Sequence, residues 1–592
     1  MTLVTEPPTG TGAVSPPAPN GRLRRLWARP RWTHLVALAL ILVALMAVVG
    51  TGASFSADEG AAITQARSLA RGDGWIVDHP LPQVDPEGAF YPLELSAQGP
   101  RGIAPFAKHP LYAVVLAGAQ KVGGVNAMVA LSLLGTLAAA AMGAALAARI
   151  GGPGLARPTL WAIGLASPLL FDGFLVVAHT VGAALAVAAV LVAAIAIERR
   201  RPLLAVAVGP LVATAVLFRT EALLLGVALA VVAGLLALRG SGATRLTSAL
   251  VAGASLAGAG VAAVGERAWA AAILGGTAAA TSGGTRGADV GYLSARLHGF
   301  VITWLRPSYN GGTVDVALVV MAAALALAVF AARRHPGDDP PVRLLAVVAA
   351  TAAVVALATG PTAIVPGLLI ACPLVLVGLL SSGTRTDAQP VPPASGTSAT
   401  LAAGTFAGFA LAVIATQYGT GGSGEWGGRY FAIGLPLLVP ICLLNLRRVG
   451  RTLSAATRRV AAIALLVCVA CLSTMGIAGL RHTHQFAGKL TAAVDRTART
   501  TGDRPVIITN EPGRPRAAWA TFDRQRWLLA RDADDLPRLL SRLRAAGIGQ
   551  VVLVSGPHSP DLSLHLEPGM RVVSNDAWAQ SKKWKVVLVD LA

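Results

Sequence analysis

Between residues 33 and 480 the chain repeats one pattern, a near-continuous apolar run followed by a short polar connector, and that pattern limits what it can fold into. An α-helix needs about 20 apolar residues to cross a hydrocarbon layer ~30 Å thick. On that rule helices are expected at 33–51, 125–149, 158–171, 174–197, 203–218, 221–239, 246–274, 314–333, 343–359, 362–380, 401–416, 431–446 and 459–480, some of them short. The chain is 54% hydrophobic, only 13% charged, and has a mean hydropathy of +0.63. About a quarter of a soluble globular protein is charged, so that class is excluded. The fold class is a polytopic α-helical membrane protein of about thirteen transmembrane helices.

The net charge of +20 would ordinarily raise nucleic acid as a partner. Here the excess is arginine gathered in short loops without interleaved aromatics, so topology explains it and no nucleic acid is expected. With the N-terminus inside, the cytoplasmic segments are 1–32, 148–158, 198–202, 239–245, 331–343, 381–400 and 447–459. They carry 21 arginines against five acids, Glu6, Glu198, Asp338, Asp339 and Asp387. The first outside loop, 52–110, reverses the balance. Its acids are Asp58, Glu59, Asp73, Asp78, Asp85, Glu87 and Glu94, and its bases are Arg67, Arg71, Arg101 and Lys108. This is the positive-inside pattern, and an odd number of crossings places the C-terminus outside.

Residues 1–32 read as a disordered cytoplasmic tail. The run after Arg31 reads as a retained anchor, since no small-residue cleavage site stands out and many spans follow. Outside loops are expected at 52–110 and 277–312, and a flexible inside linker at 384–399. Ser56-x-x-Glu59 has capping-box spacing, and an amphipathic helix on the membrane surface is expected from there to Arg71. Residues 110–122 read as a second interfacial helix. From about 481 the composition turns soluble. Strands are expected at 506–509, 551–555 and 586–589, with a helix at 536–546 stopped by Gly547, giving a small extracytoplasmic α/β domain over 490–592. Cys372, Cys442, Cys468 and Cys471 all fall in apolar runs, where packing is the expected role. No internal repeat is visible.

The polar residues that can carry chemistry gather on the outer side. Asp58-Glu59 either caps the helix that starts there or supplies a general base, Asp58. Lys108 in Phe-Ala-Lys-His-Pro-Leu-Tyr (106–112) either snorkels at the interface or holds a phosphate. Asp172, His179 and Thr180 stand at outer helix ends, where a histidine beside a wet cavity is a ligand contact and one without it a packing residue. Arg219 and Glu221 either pair with one another or line the same site. The glycine-rich turn 421–428 leads into Arg429 and Tyr430. With Trp426 these form either a membrane anchor or a ligand clamp. A carboxylate base among outward-facing cations is what a lipid-linked phosphate substrate requires.

These motifs in this order resemble the GT-C glycosyltransferases, in the branch of the protein mannosyltransferases and the aminoarabinose transferases. The residues concerned are Asp58-Glu59 after the first span, Arg-Gly-Asp-Gly-Trp (71–75), and Lys-His-Pro-Leu-Tyr (108–112). Phe218-Arg219-Thr220-Glu221 and Trp426-Gly427-Gly428-Arg429-Tyr430 are similar to segments of actinobacterial members. The resemblance covers about residues 30–480. It implies a polyprenyl-phosphate sugar donor, inversion at the anomeric carbon, and an acceptor hydroxyl on a cell-envelope glycan, lipid or protein. It makes Asp58 the base and Lys108 a phosphate contact, although His109 stands where the related Lys-Pro-Pro pattern has its first proline. Arg429 is assigned to the phosphate, and Glu59, His109, His179, Arg219, Glu221 and Tyr430 to the substrate surroundings. No cofactor or metal is expected, although an Asp-Glu site is able to bind a divalent cation. A transporter or flippase of lipid-linked sugars is the alternative; it would want mid-membrane charges and a repeat.

Overall fold

The computed structural model describes residues 31–591 except 94–96, 100, 107–108, 277–278, 281–290, 309–310, 335–338, 363–365, 383–395, 417–425 and 532–533. The expected tail, Lys108, and most of the inside linker and of the glycine-rich turn therefore lie outside the described residues. Among the described residues, ten helices are long and apolar enough to cross a membrane. The chain is a multi-pass helical membrane protein with a C-terminal α/β part. The other three expected spans are the shorter helices Pro153–Leu165, Pro202–Phe218 and Pro373–Leu380. Proline accounts for two of these boundaries. The first helix stops before Ser167-Pro168, and the last restarts at Pro373 after Cys372 leaves helical backbone angles.

Helix α1 (Arg31–Val49) leads to α2 (Ala57–Arg71), and α3 runs over Pro110–Gly151. Within α3 the backbone leaves helical angles at Gly123 and Gly124, so 110–122 is a separate arm ahead of the apolar helix that follows. Helix α2 is covered rather than lying open. Ala61, Ala62, Ile63 and Ala66 are buried in one cluster with Tyr112, Leu116, Phe218 and Trp519. Small residues on α2 allow that close approach.

The last apolar helix, α4 (Ala455–Ala498), has 44 residues, so at 1.5 Å per residue it is about 66 Å long. That is twice what a hydrocarbon layer needs. Its final turns leave the apolar bundle and pack on a sheet: Leu490, Val494 and Ala498 share a core with Ile507, Trp527, Val552 and Val586. The sheet contains β1 (Val506–Thr509), β2 (Arg526–Leu529), β3 (Gln550–Ser555), β4 (Arg571–Asn575) and β5 (Lys585–Asp590). Their spatial order is β2-β1-β3-β5-β4, with β1 parallel to both neighbours and β5 antiparallel to both of its own. Helix α5 (Asp535–Ala545) covers the other face, and Gly547 follows in the left-handed region at φ +76°.

Loop residues from the far end of the chain complete that second face. Leu81, Val84 and Phe90 are buried with Ile508, Leu528, Leu540 and Leu553. The Leu529 amide donates to the Phe90 carbonyl at 2.9 Å, and Arg542 pairs with Glu87 at 2.9 Å. The first loop and the C-terminal sheet are thus one packed body.

Candidate active site

Helix α2 begins at the Ser56 N-cap that the capping-box spacing predicts, with Glu59 reaching one residue further back than the box requires. The Ser56 hydroxyl accepts from the Glu59 amide at 3.2 Å, and Glu59 Oε2 reaches back to the Phe55 amide at 2.6 Å. Glu59 Oε1 accepts from the Val176 amide at 2.8 Å. Glu59 is buried, and its carboxylate ties the start of α2 to the turn between Asp172 and His179. It serves the scaffold.

Asp58 points the other way and stays 28% exposed at its side chain. Its two oxygens are divided between two guanidinium groups. Arg516 Nη2 donates to Oδ1 at 2.8 Å, and Arg429 Nη2 lies 3.4 Å from Oδ2. The Arg429 side chain is 17% exposed and that of Arg516 only 2%. Burial, with Arg429 acting in the same sense, holds the Arg516 guanidinium below its ordinary pKa, and the neighbouring Asp58 offsets only part of this.

Aromatic contacts hold the two loops of this site in register. Phe55, three residues before Asp58, meets Phe171 edge-on at 5.1 Å. Phe171 stacks at 6.0 Å on Trp426, three residues before Arg429. Trp426 is 4% exposed, so it is an internal packing residue and not a lipid-facing anchor. Gly427 and Gly428 follow at φ +74° and +69°. A Cβ on the first would lie 2.2 Å from Pro168 Cγ, and one on the second 2.6 Å from the Thr303 carbonyl oxygen. Only glycine fits a turn wedged this way. The Arg429 guanidinium lies over Tyr430, which is buried, at 5.3 Å from the ring centre.

A second polar group forms beside the first. His109 stands at the N-cap position of α3, with Nδ1 3.3 Å from the Thr220 hydroxyl and 4.0 Å from Glu266 Oε1. Arg219 and Glu221 pair at 2.8 Å, and Arg219 packs across Gly182 from Ile433, in the turn that starts with Arg429. Lys108 lies outside the described residues, and the Phe106 amide donates to Gln65 of α2 at 3.3 Å. His179 Nδ1 lies 3.2 Å from Asp172 Oδ2, and both side chains are buried. The Thr180 hydroxyl is taken by the Ser132 carbonyl at 2.8 Å.

The structure therefore joins Asp58 directly to Arg429. It groups His109 with Arg219 and Glu221, and links the Asp172–His179 turn to the site through Glu59. Two residues escape the sequence reading. Glu266 carried a usable signal, since an acid inside a long apolar helix is expensive unless it has a partner. Arg516 carried none, being one of many arginines in the soluble part.

No family model and no curated protein matches this chain. Among solved structures it is similar to ArnT from Cupriavidus metallidurans bound to undecaprenyl phosphate. The identity is 16% and the TM-score 0.45, over 95% of this chain and 99% of that one. It is also similar to the archaeal oligosaccharyltransferase AglB from Archaeoglobus fulgidus in complex with an inhibitory peptide and a dolichol-phosphate. There the identity is 15% and the TM-score 0.47, over 92% of this chain and 72% of that one.

Proposed function

We propose that this chain is a membrane glycosyltransferase of the GT-C type. It moves a hexosyl or pentosyl unit from a polyprenyl-phosphate donor to a hydroxyl on a cell-envelope glycan, lipid or protein, with inversion. The observation that supports this reading best is Asp58, a partly exposed carboxylate in the first turn of a helix, 3.4 Å from the Arg429 guanidinium. In the proposed step Asp58 takes the proton of the acceptor hydroxyl, and the oxygen attacks the anomeric carbon from the face opposite the phosphate. The bond from that carbon to the phosphate oxygen breaks, and its electron pair leaves with the lipid phosphate. Arg429 and Lys108 offset the charge that develops there. His109, His179, Arg219, Glu221 and Tyr430 line or support the donor's surroundings, while Glu59 fixes the helix start.

The same reading places the N-terminus (1–32) in the cytoplasm, the helical part (33–480) in the plasma membrane, and the site with the 490–592 part on the outer face. Purified full-length protein, offered radiolabelled polyprenyl-phosphate sugars of several kinds with envelope extract, tests it. Transfer of label to extract components is the expected result. Movement of the lipid-linked sugar across vesicles without transfer would replace this reading with a flippase.

A further inference from the structure

We infer that the C-terminal sheet part is a working component of the active site, acting through Arg516, a positioning residue that holds Asp58 for proton abstraction. The inference rests on the glycosyltransferase reading and adds to it a residue and a role for the soluble part. Arg516 binds one carboxylate oxygen at 2.8 Å, so the other is turned toward Arg429. Arg516 is the more buried of the two arginines, and its Nε has no hydrogen-bond partner among the described residues. A charged group is costly to bury without compensation, and here it is held against a carboxylate that is itself partly open.

The segment that carries Arg516 is fixed to α2 by contacts away from Asp58. Arg67 Nη1 donates to the Trp519 carbonyl at 2.8 Å, and its guanidinium lies 5.1 Å from the Trp519 ring centre. Arg71 pairs with Asp523 at 2.6 Å, and the Ser54 hydroxyl donates to the Ala517 carbonyl at 3.4 Å. Docking therefore has its own fastenings, and the Arg516 side chain is left to orient the base. The charge balance suits the chemistry. As Asp58 takes up the proton it loses its charge, while the donor's phosphodiester becomes a phosphomonoester and gains one. The positive field of Arg516 and Arg429 then finds the same total negative charge before and after transfer.

The test compares R516Q and R516K with wild type in the full-length purified protein, using the polyprenyl-phosphate sugar that wild type turns over. R516Q should lower kcat about 100-fold, because a misplaced base costs that order of rate. R516K keeps the charge without the planar fork and should lower kcat about 10-fold. In both, KM for the donor should stay within about threefold. The inference is overturned if either variant keeps kcat within about twofold of wild type, or if lysine loses as much as glutamine, since a role in folding alone would not separate them. Should R516Q not be recovered folded, the twofold criterion on R516K decides. If wild type transfers no sugar from any polyprenyl-phosphate donor, the glycosyltransferase reading fails and takes this inference with it. Transfer in R516Q at a kcat within about twofold of wild type overturns this inference alone.

Discussion

A Cβ added to Gly60 would lie 2.1 Å from the carbonyl oxygen of Arg516. The backbone of α2 and the backbone that delivers Arg516 are in direct contact, half a turn from Asp58. A Cβ on Gly513 would meet Ala57 at 3.4 Å, an ordinary van der Waals contact. The approach at Gly60 depends on a missing side chain.

Gly60→Val should therefore lift the 514–517 segment from α2, since its obstacle is backbone and cannot swing aside. Overpacking of this kind costs about 1–3 kcal/mol. We expect lower kcat together with faster proteolytic cleavage around residues 499–515, in a chain whose apolar helices remain folded. Unchanged cleavage and unchanged turnover would show that this contact is dispensable.

Asp58→Asn keeps the shape of the side chain and removes its basicity. A general base contributes roughly 10²- to 10⁴-fold, so turnover should fall by that factor. The melting temperature should drop only slightly, because the amide still offers Arg516 an acceptor oxygen. Near-normal turnover in a folded sample would remove Asp58 as the base.

Phe171 joins the loop of Asp58 to that of Arg429 through Phe55 and Trp426. Phe171→Ala should cost about 3–5 kcal/mol by leaving a cavity there. Thermal unfolding in detergent would show this. Activity should fall further than in Phe171→Leu, which fills more of the space. Equal activity in the two variants would mean that the aromatic chain does not set the site.

His79 gives the soluble face a dependence on pH. Its Nδ1 accepts from the Leu81 amide at 3.0 Å and its Nε2 contacts Asp85 at 2.9 Å, an arrangement of the neutral ring. Burial lowers its pKa, against the pull of Asp85. A histidine whose folded pKa is depressed adds stability above its unfolded value, near 6.5, and loses it as pH falls. The protection of the Leu81 amide against hydrogen exchange, relative to its intrinsic rate at each pH, should fall below about pH 6.5 in wild type, and much less so in His79→Gln. The same pH response in both would assign it to another group.

Local signals in the sequence determine much of this protein. Each expected span has a helical counterpart because apolar length is read within one segment. The Ser56–Glu59 cap and the strand Val506–Thr509 fall where the spacing puts them, because they answer to neighbours a few residues away. The strands Arg526–Leu529 and Arg571–Asn575 were missed. Both are short sheet edges with polar residues, and every residue of the second is exposed, so no alternation marks them. What only tertiary structure decided is who meets whom. Asp58 meets Arg429 and Arg516 at separations of 371 and 458 residues. Such meetings are set by glycine contacts, stacked rings and helix packing spread over the whole chain, and no window of sequence contains them. That is why Asp58 could be named from its neighbourhood, while Arg516 needed the fold to bring it there.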